Sequence, residues 1–300
     1  MITLFTESIK KIKPWGLSGL SIYDVTIFFW KGLMNGAITT RASSLAFNFF
    51  LAFFPAIIVF FTLIPYLPIQ GLQEALMELI TIVLPPNTNE ITFKTLDDII
   101  NNPRGGLLSI GFILALYFST NGVNSLIEAF NASYHIKEVR PLIQQRLLSL
   151  ALTALLSFIL ITAIGLMIFG KLTVNYLISI DLISNYAADL ILFGKWLTIV
   201  LMLFFGISSL FHLGPAIKSN WKLFTAGSIL ATIGIVITSI GFNYYVNNFS
   251  QYNKIYGSIG TLMIILIWMY FNSIILLTGF ELNASILNAK QNSNLSNQDL

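Results

Sequence analysis

The chain has 300 residues, of which 56% are hydrophobic, 14% are aromatic and 10% are charged. Soluble domains carry about 25% charged residues, so this composition excludes an ordinary cytosolic enzyme. Mean hydropathy is +0.80, which also excludes a soluble domain with a single membrane anchor. The net charge is +3, but the Lys and Arg residues are scattered and form no stripe that could follow a nucleic-acid backbone. We therefore expect no nucleic-acid partner.

The N-terminal segment precedes the first long apolar run. Asp24 and Lys31 interrupt its apolar stretch, which argues against a cleavable signal peptide. Between Leu20 and Thr40 apolar residues recur on one face at helical spacing, which predicts a helix lying in the membrane interface. We assign residues 1–43 to a cytoplasmic N-terminal segment that contains this interfacial helix.

Six segments in the region 44–289 are apolar and long enough for spanning helices, which need about 20 residues each. The second begins near Leu107, and the other five cover about Ser44 to Pro65, Leu147 to Phe169, Leu190 to Leu213, Leu223 to Tyr245 and Ser258 to Phe280. The predicted fold class is therefore all-α, a polytopic membrane protein with a bundle of six transmembrane helices. An even number of spans places both termini on one side.

The distribution of Lys and Arg predicts which side that is. Eleven of the sixteen lie in the termini and the connections on their side, and five lie on the other face. Since basic residues favour the cytoplasmic side, both termini are predicted to be cytoplasmic. In the long outer loop after Tyr66, Leu72, Leu76, Leu79 and Val83 share a helical face, which predicts a helix there. Residues 290–300 are polar and predicted to be disordered.

Polar residues inside the predicted spans are the candidate site residues, because polar groups are costly in hydrocarbon. In the first span one face carries Arg41, Ser44, Asn48, Pro55 and Thr62. This face either lines a substrate path or packs against neighbouring helices.

The second span has a similar polar face in its second half. That face carries Asn121, Asn124, Glu128, Asn131 and His135. The alternative interpretation is a helix that emerges into water with an ordinary solvated side.

The fifth and sixth spans carry two further patterns. Small residues recur in the fifth from Gly227 to Gly241, which predicts a seam for close helix packing. In the sixth, Glu281 is the sole acidic residue, and Asn272 points away from it. Glu281 is predicted to pair with a basic residue at similar depth, either Arg41 or Arg146, and Arg41 is favoured.

Three segments resemble the YihY/BrkB family of bacterial inner-membrane proteins: RASSLAFNFFLAFFP from Arg41, FNASYHIKEVRPLIQQR from Phe130 and YGSIGTLMIILIWMYFNSIILLTGFELNA from Tyr256. The resemblance covers about residues 25 to 289. It implies six helices in the cytoplasmic membrane but no settled activity, since virulence-factor and ribonuclease BN labels are both attached to the family. The family-like positions are Arg41, Pro55, Asn131, Tyr134, Arg140, Arg146, Gly257, Gly260, Trp268, Glu281 and Asn283.

Three classes of function compete. A transporter, channel or lipid-translocating protein with a polar cavity on the cytoplasmic side is favoured, and a non-catalytic membrane scaffold or assembly partner is the alternative. A membrane-embedded enzyme is disfavoured, because the only histidines are His135 and His212 and metal-assisted RNA hydrolysis needs clustered ligands.

The expected partner is the lipid bilayer, with no metal and no cofactor. The substrate stays open among a small molecule, an ion and a lipid, and so does the formation of oligomers. The candidate residues of a substrate path or structural polar cluster are Arg41, Asn48, Asn121, Asn124, Glu128, Asn131, Arg140, Arg146 and Glu281.

Overall fold

The computed structural model describes residues 26–27, 29–30, 37–66, 98, 102–133, 140–180, 184–216, 224–249 and 258–296. Within them, six long helices follow one another: α1 Ile38–Leu63, α2 Gly105–Ser133, α3 Leu142–Ser179, α4 Asn185–Leu213, α5 Ala226–Phe249 and α6 Ser258–Ser296. A short 3-10 helix, Ile64–Tyr66, continues α1. These described residues contain no β-strand.

All six helices contain a segment long and apolar enough to cross a membrane. The prediction of an all-α polytopic protein with six spans is therefore confirmed. The apolar segments run over Ile38–Tyr66, Gly105–Ser133, Leu142–Met167, Tyr186–Leu213, Ala226–Tyr245 and Leu262–Lys290. Each covers the roughly 20 residues that a crossing requires.

Several helix ends differ from the sequence expectation by a few residues or more, and helix α3, Leu142–Ser179, is longer than predicted at both ends. Two of the differences bear on the predicted segments at the termini. Helix α1 begins at Ile38 instead of Ser44, directly after Ala37, whose φ of 45° lies in the left-handed region that interrupts a helix. Helix α6 continues to Ser296, beyond the predicted start of a disordered tail at residue 290. Polar composition does not itself end a helix, and no Gly or Pro follows Gly279.

Two predicted interfacial helices fall largely outside the described residues. Of the predicted Leu20–Thr40 helix, residues 26–27 and 29–30 are described and are helical, whereas Ala37 has a left-handed backbone and residues 38–40 belong to α1. The predicted helix from Leu72 to Val83 in the outer loop lies outside the described residues.

The chain divides into two compact units, one formed by residues 47–122 and the other by residues 1–46 and 123–300. In the first, a Cβ on Gly111 would lie 3.1 Å from Ile58 Cγ2, and one on Gly122 would lie 3.0 Å from Phe49 Cδ1. Glycine at these two positions therefore lets α1 and α2 approach closely.

The larger unit has an aromatic centre formed by the Phe triad, Phe130, Phe211 and Phe280. All three side chains are fully buried. Phe130 stacks on Phe280 with ring centroids 4.1 Å apart, and Phe211 meets both rings edge to face at 5.4 Å. These offset and perpendicular geometries are the ones that aromatic quadrupoles favour. The triad joins α2, α4 and α6 at one point.

Candidate functional site

Arg41 lies in the first turn of α1, and its guanidinium reaches α2. Its Nη1 donates to the carbonyl oxygen of Ala129 at 2.7 Å and to Ser133 Oγ at 2.9 Å. The same turn buries Ala42, whereas Ser44 is exposed. The buried face of this turn is therefore rotated away from the stripe that the sequence predicted, and Arg41 lies at its edge.

Glu281 of α6 approaches the same guanidinium. Its Oε2 lies 3.9 Å from Arg41 Nη2, and 14% of the Arg41 side chain and 7% of the Glu281 side chain are exposed. The predicted proximity of Glu281 and Arg41 is thus confirmed. We call Arg41, Ser133 and Glu281 the Arg41 cluster.

The Arg41 cluster adjoins the Phe triad along the chain. Phe130 follows Ala129, whose carbonyl accepts from Arg41, and Phe280 precedes Glu281. A charged group beside fully buried rings interacts more strongly than one in water, because the local dielectric constant is low. Any ligand of Arg41 would be held in this environment.

The hydrogen bonding of Arg41 is incomplete. Its Nε and Nη2 atoms are buried and have no hydrogen-bond partner among the residues that the structure describes. A guanidinium presents its donors in a planar fork that matches two oxygens of a carboxylate or phosphate. The arrangement can therefore bind an oxyanion chemically, with Nε and Nη2 as donors.

A second polar group lies between α2 and α3. Asn124 Nδ2 donates to Glu128 Oε1 at 2.7 Å, and Asn124 Oδ1 accepts from Gln145 Nε2 at 2.8 Å and Ser149 Oγ at 3.4 Å. We call these four residues the Asn124 network. Gln145 and Ser149 are buried, whereas Glu128 is exposed. The network thus leads from a buried helix contact to an exposed carboxylate.

Two predicted site residues, Asn131 and Arg140, form hydrogen bonds with backbone groups of another segment. Asn131 Oδ1 accepts from the amide of Ala216 at 2.8 Å, and Arg140 Nη1 donates to the carbonyl of Gly214 at 3.0 Å. Arg140 Nη2 also donates to the carbonyl of Pro215. These bonds fix the segment that follows α4, so the structure gives both residues a structural contact.

The remaining predicted residues lie elsewhere. Asn48 and Asn121 are half-buried and belong to the unit of residues 47–122. Arg146 is exposed on α3. The carboxylate of Glu281 therefore lies near Arg41, the favoured of the two predicted basic partners.

The sequence analysis missed the role of Asn283. This buried side chain on α6 accepts from the amide of Gly227 at 2.8 Å and donates to Thr225 Oγ1 at 2.9 Å. Gly227 is in the first turn of α5, where amides lack a partner within the helix. We call Asn283, Gly227 and Thr225 the Asn283 latch. Its sequence signal was a polar residue two positions after Glu281 in an apolar run.

Comparison with known proteins places the chain among membrane proteins. The profile of the family described as virulence factor BrkB matches residues 29–299. The ribonuclease-like protein YfkH of Bacillus subtilis (strain 168) is 31% identical over 256 residues, which cover 84% of this chain and 91% of that protein. The UPF0761 membrane protein NTHI0384 of Haemophilus influenzae (strain 86-028NP) is 22% identical over 89% of this chain and 96% of its own length.

A further relative agrees with this assignment. The UPF0761 membrane protein of Alteromonas mediterranea is 26% identical over 283 residues, which cover 90% of each chain. No solved structure matches the chain. The resemblance to the YihY/BrkB family that the sequence segments suggested is confirmed.

Proposed function

We propose that this chain, which belongs to the virulence factor BrkB family, is a transporter, channel or lipid-translocating protein whose polar cavity contains the Arg41 cluster. It is a multi-pass membrane protein, so movement of a substrate across the bilayer is a function that its architecture can serve.

The observation that carries the proposal is the incomplete hydrogen bonding of Arg41. Leaving a buried donor without a partner costs about 1–3 kcal/mol, and more when the group is charged. Arg41 has two buried nitrogen atoms, Nε and Nη2, that find no acceptor among the described residues. A residue with only a packing role would avoid this cost, whereas a residue that receives a ligand must keep donors available.

The substrate class follows from the same donors. Nε and Nη2 point to a substrate with two acceptor oxygens on one centre, as in a carboxylate or phosphate. Glu281 lies close enough to compete for the guanidinium. We propose that the substrate and the Glu281 carboxylate alternate as the anion near Arg41, so that the site stays neutralised when it is empty.

The alternative, a membrane scaffold or assembly partner, also has an observation in its favour. Asn131, Arg140 and Asn283 all bind backbone groups of other segments, which is the behaviour of residues that hold helices together. The scaffold hypothesis gives the Arg41 cluster the same role. A flux measurement separates the two hypotheses.

We propose the cytoplasmic membrane as the location, with both termini in the cytoplasm, on the strength of the Lys and Arg bias. Cysteine at Asn87 should react with an impermeant reagent added outside the cell, and cysteine at Ser219 should react only after the membrane is permeabilised. The natural sequence contains no cysteine, so no background labelling interferes. Equal labelling of the two positions would contradict this topology.

We further propose that the protein is not an enzyme. The support is the small number of histidines, His135 and His212, which does not supply the ligand set of a typical hydrolytic metal centre. The name of the Bacillus subtilis relative makes ribonuclease activity the outcome to test. Purified protein incubated with RNA and divalent metal should release no cleavage products above those of the Arg41→Gln variant.

The flux experiment uses the purified chain in proteoliposomes. Two kinds of probe are followed. The first is a water-soluble anion inside the vesicles, either a radiolabelled phosphate ester or a radiolabelled carboxylate. The second is phosphatidylglycerol with a fluorescent headgroup in the vesicle membrane. Wild-type protein should accelerate the movement of at least one probe over protein-free vesicles. Arg41→Gln should abolish that movement, and Arg41→Lys should reduce it, since lysine keeps the charge but loses the planar fork.

The control for this experiment is Lys290→Gln, which neutralises an exposed basic residue near the end of the last span. It should leave the flux unchanged. Thermal unfolding of each variant shows whether a lost flux reflects a lost fold. A wild-type protein that moves neither probe, or an Arg41→Gln variant that moves both as well as wild type, would favour the scaffold.

A further inference from the structure

The interface between α5 and α6 is closed in one half and open in the other. A Cβ on Gly227 would collide with the carbonyl oxygen of Gly279, and a Cβ on Gly234 would lie 2.6 Å from Ile275 Cγ2. The predicted small-residue seam is therefore confirmed at these two positions. At Gly241 the prediction is wrong, because an added Cβ would meet no atom of the described residues within 4 Å.

The open half forms a cavity of about 450 Å³ between the two helices. This volume lies within the range of about 300–1,000 Å³ that small-molecule sites occupy. Helix α5 contributes Thr238, Gly241, Phe242 and Tyr245, and helix α6 contributes Met263, Ile264, Ile267 and Phe271.

The described residues that line the cavity are apolar or uncharged. Among these residues, only Thr238 and Tyr245 carry a polar side-chain group, a hydroxyl in each case. Both helices are membrane spans over this stretch, from Ala226 to Tyr245 and from Leu262 to Lys290. An uncharged occupant of hydrocarbon character matches these walls, since a charged or strongly polar one would lose its hydration without gaining partners.

The cavity opens onto an exposed apolar surface of α5 and α6. Four residues that line it are large, apolar and 40–48% exposed: Tyr245, Met263, Ile267 and Phe271. Ile237 and Ile240, on the turns of α5 beside it, are exposed to 63% and 67%. A lipid chain can therefore enter sideways from the bilayer without crossing a polar barrier.

The helix stretches that line the cavity are somewhat shorter than one leaflet is thick. At 1.5 Å per residue, the stretch from Thr238 to Tyr245 spans about 10 Å and that from Met263 to Phe271 spans about 12 Å. Half of a hydrocarbon core of about 30 Å is about 15 Å. Both stretches lie in the halves of α5 and α6 that adjoin their connection, so the cavity lies in the leaflet on that side.

We propose that this cavity binds one acyl chain of a phospholipid from the leaflet on the side of the α5–α6 connection. The chain lies along the two helices over Gly241, and Phe271 and Phe242 contact its sides. Binding depends on close packing, because transfer from bilayer to cavity gains no hydrophobic free energy. The site shares no residue with the Arg41 cluster, so it stands whether or not the protein transports a substrate.

The test uses the full chain in nanodiscs that contain phosphatidylcholine with a diazirine on its sn-2 acyl chain. After illumination, the adducts are mapped by mass spectrometry. Adducts should concentrate on residues 238–245 and 263–271 relative to the exposed α3 residues Phe158 and Ile161, which report ordinary contact with bilayer lipid. Gly241→Leu should remove most of the adducts in the cavity, because its side chain fills the open space.

The matched control is Gly194→Leu in α4, where an added Cβ also meets no atom of the described part of the chain within 4 Å. It should leave the cavity adducts unchanged. Met263→Trp fills the cavity from the other wall and should repeat the loss if Gly241→Leu fails to fold, which thermal unfolding would show.

Three outcomes would overturn the proposal. The first is a uniform distribution of adducts over exposed apolar residues. The second is an equal yield in Gly241→Leu, Met263→Trp and Gly194→Leu. The third is efficient disulfide formation between two copies of Met263→Cys in nanodiscs that hold two chains, together with absence of lipid adducts, since the cavity would then be an interface between protomers.

Discussion

The Asn283 latch and the Arg41 cluster contain similar polar chemistry in a membrane helix, only two residues apart on α6, but they differ in hydrogen bonding. In the latch, Asn283 uses its oxygen for the amide of Gly227 and its nitrogen for Thr225 Oγ1. In the cluster, Arg41 uses Nη1 alone and leaves Nε and Nη2 buried without a hydrogen-bond partner among the described residues.

This difference shows that burial of a polar side chain in a span does not identify its role. A fully bonded group contributes to the stability of the contact it makes, because its loss would leave backbone atoms unsatisfied. A partly bonded group keeps donors that have no acceptor, and these donors can bind a ligand. We therefore expect substitutions in the latch to change stability and substitutions in the cluster to change function.

The largest effect is expected where the latch brings two backbones together. Gly227→Leu should reduce the folded, detergent-extractable yield most strongly, at a cost above about 3 kcal/mol, because the new side chain meets the Gly279 carbonyl. Gly234→Leu should cost less, since the new side chain meets the Cγ2 methyl group of Ile275 and not a backbone carbonyl. Leu230→Phe, at a residue that is 40% exposed, should be tolerated.

Fluorescence-detected size exclusion of the three variants measures this order. Equal yields for all three would show that α5 does not pack on α6 through this seam.

A smaller effect is expected from the amide of the latch. Asn283→Leu leaves the Gly227 amide without its partner in the first turn of α5, which should lower the free energy of unfolding by about 1–3 kcal/mol. The control is Asn272→Leu on the same helix. Among the described residues, Asn272 donates to the carbonyl of Trp268 in its own helix, and its buried Oδ1 has no partner.

Removal of that unsatisfied oxygen should leave stability unchanged or raise it. Thermal unfolding in detergent compares the two variants. A greater loss in Asn272→Leu than in Asn283→Leu would mean that the latch does not cap α5.

The smallest effect on stability is expected from the ion pair of the cluster. Arg41 Nη2 and Glu281 Oε2 are 3.9 Å apart, beyond hydrogen-bond distance. A double-mutant cycle of Arg41→Gln and Glu281→Gln should therefore give a coupling free energy of about 1 kcal/mol. Breaking a tightly bonded buried pair costs more, about 3–5 kcal/mol. The exchange Arg41→Glu with Glu281→Arg should recover part of the stability lost in either single substitution.

Measuring flux on the same variants separates a functional role of the cluster from a structural one. Glu281→Gln should change flux clearly and leave the unfolding temperature close to that of the wild type. A Glu281→Gln variant with unaltered stability and unaltered flux would show that Glu281 belongs to neither a structural nor a functional site.

The sequence alone was sufficient for the number of spans, the helical fold and the proximity of Glu281 to Arg41. The first two follow from the cost of polar groups in hydrocarbon, which depends on local composition and length. The proximity of Glu281 to Arg41 was predictable because a charged group in a membrane has few partners of opposite charge at the same depth. The seam was also predictable at Gly227 and Gly234, since small residues at alternating spacings permit close approach.

Tertiary structure decided which polar groups are satisfied and which stay available. Asn283 and Gly227 are 56 residues apart, and Arg41 and Ala129 are 88 apart. Such contacts depend on how the helices rotate and lean against one another, which a hydropathy pattern does not contain. For the same reason Gly241, which matches Gly234 in sequence context, lines a cavity: helix α6 contacts α5 at Ile275 but leaves space beside Ile267.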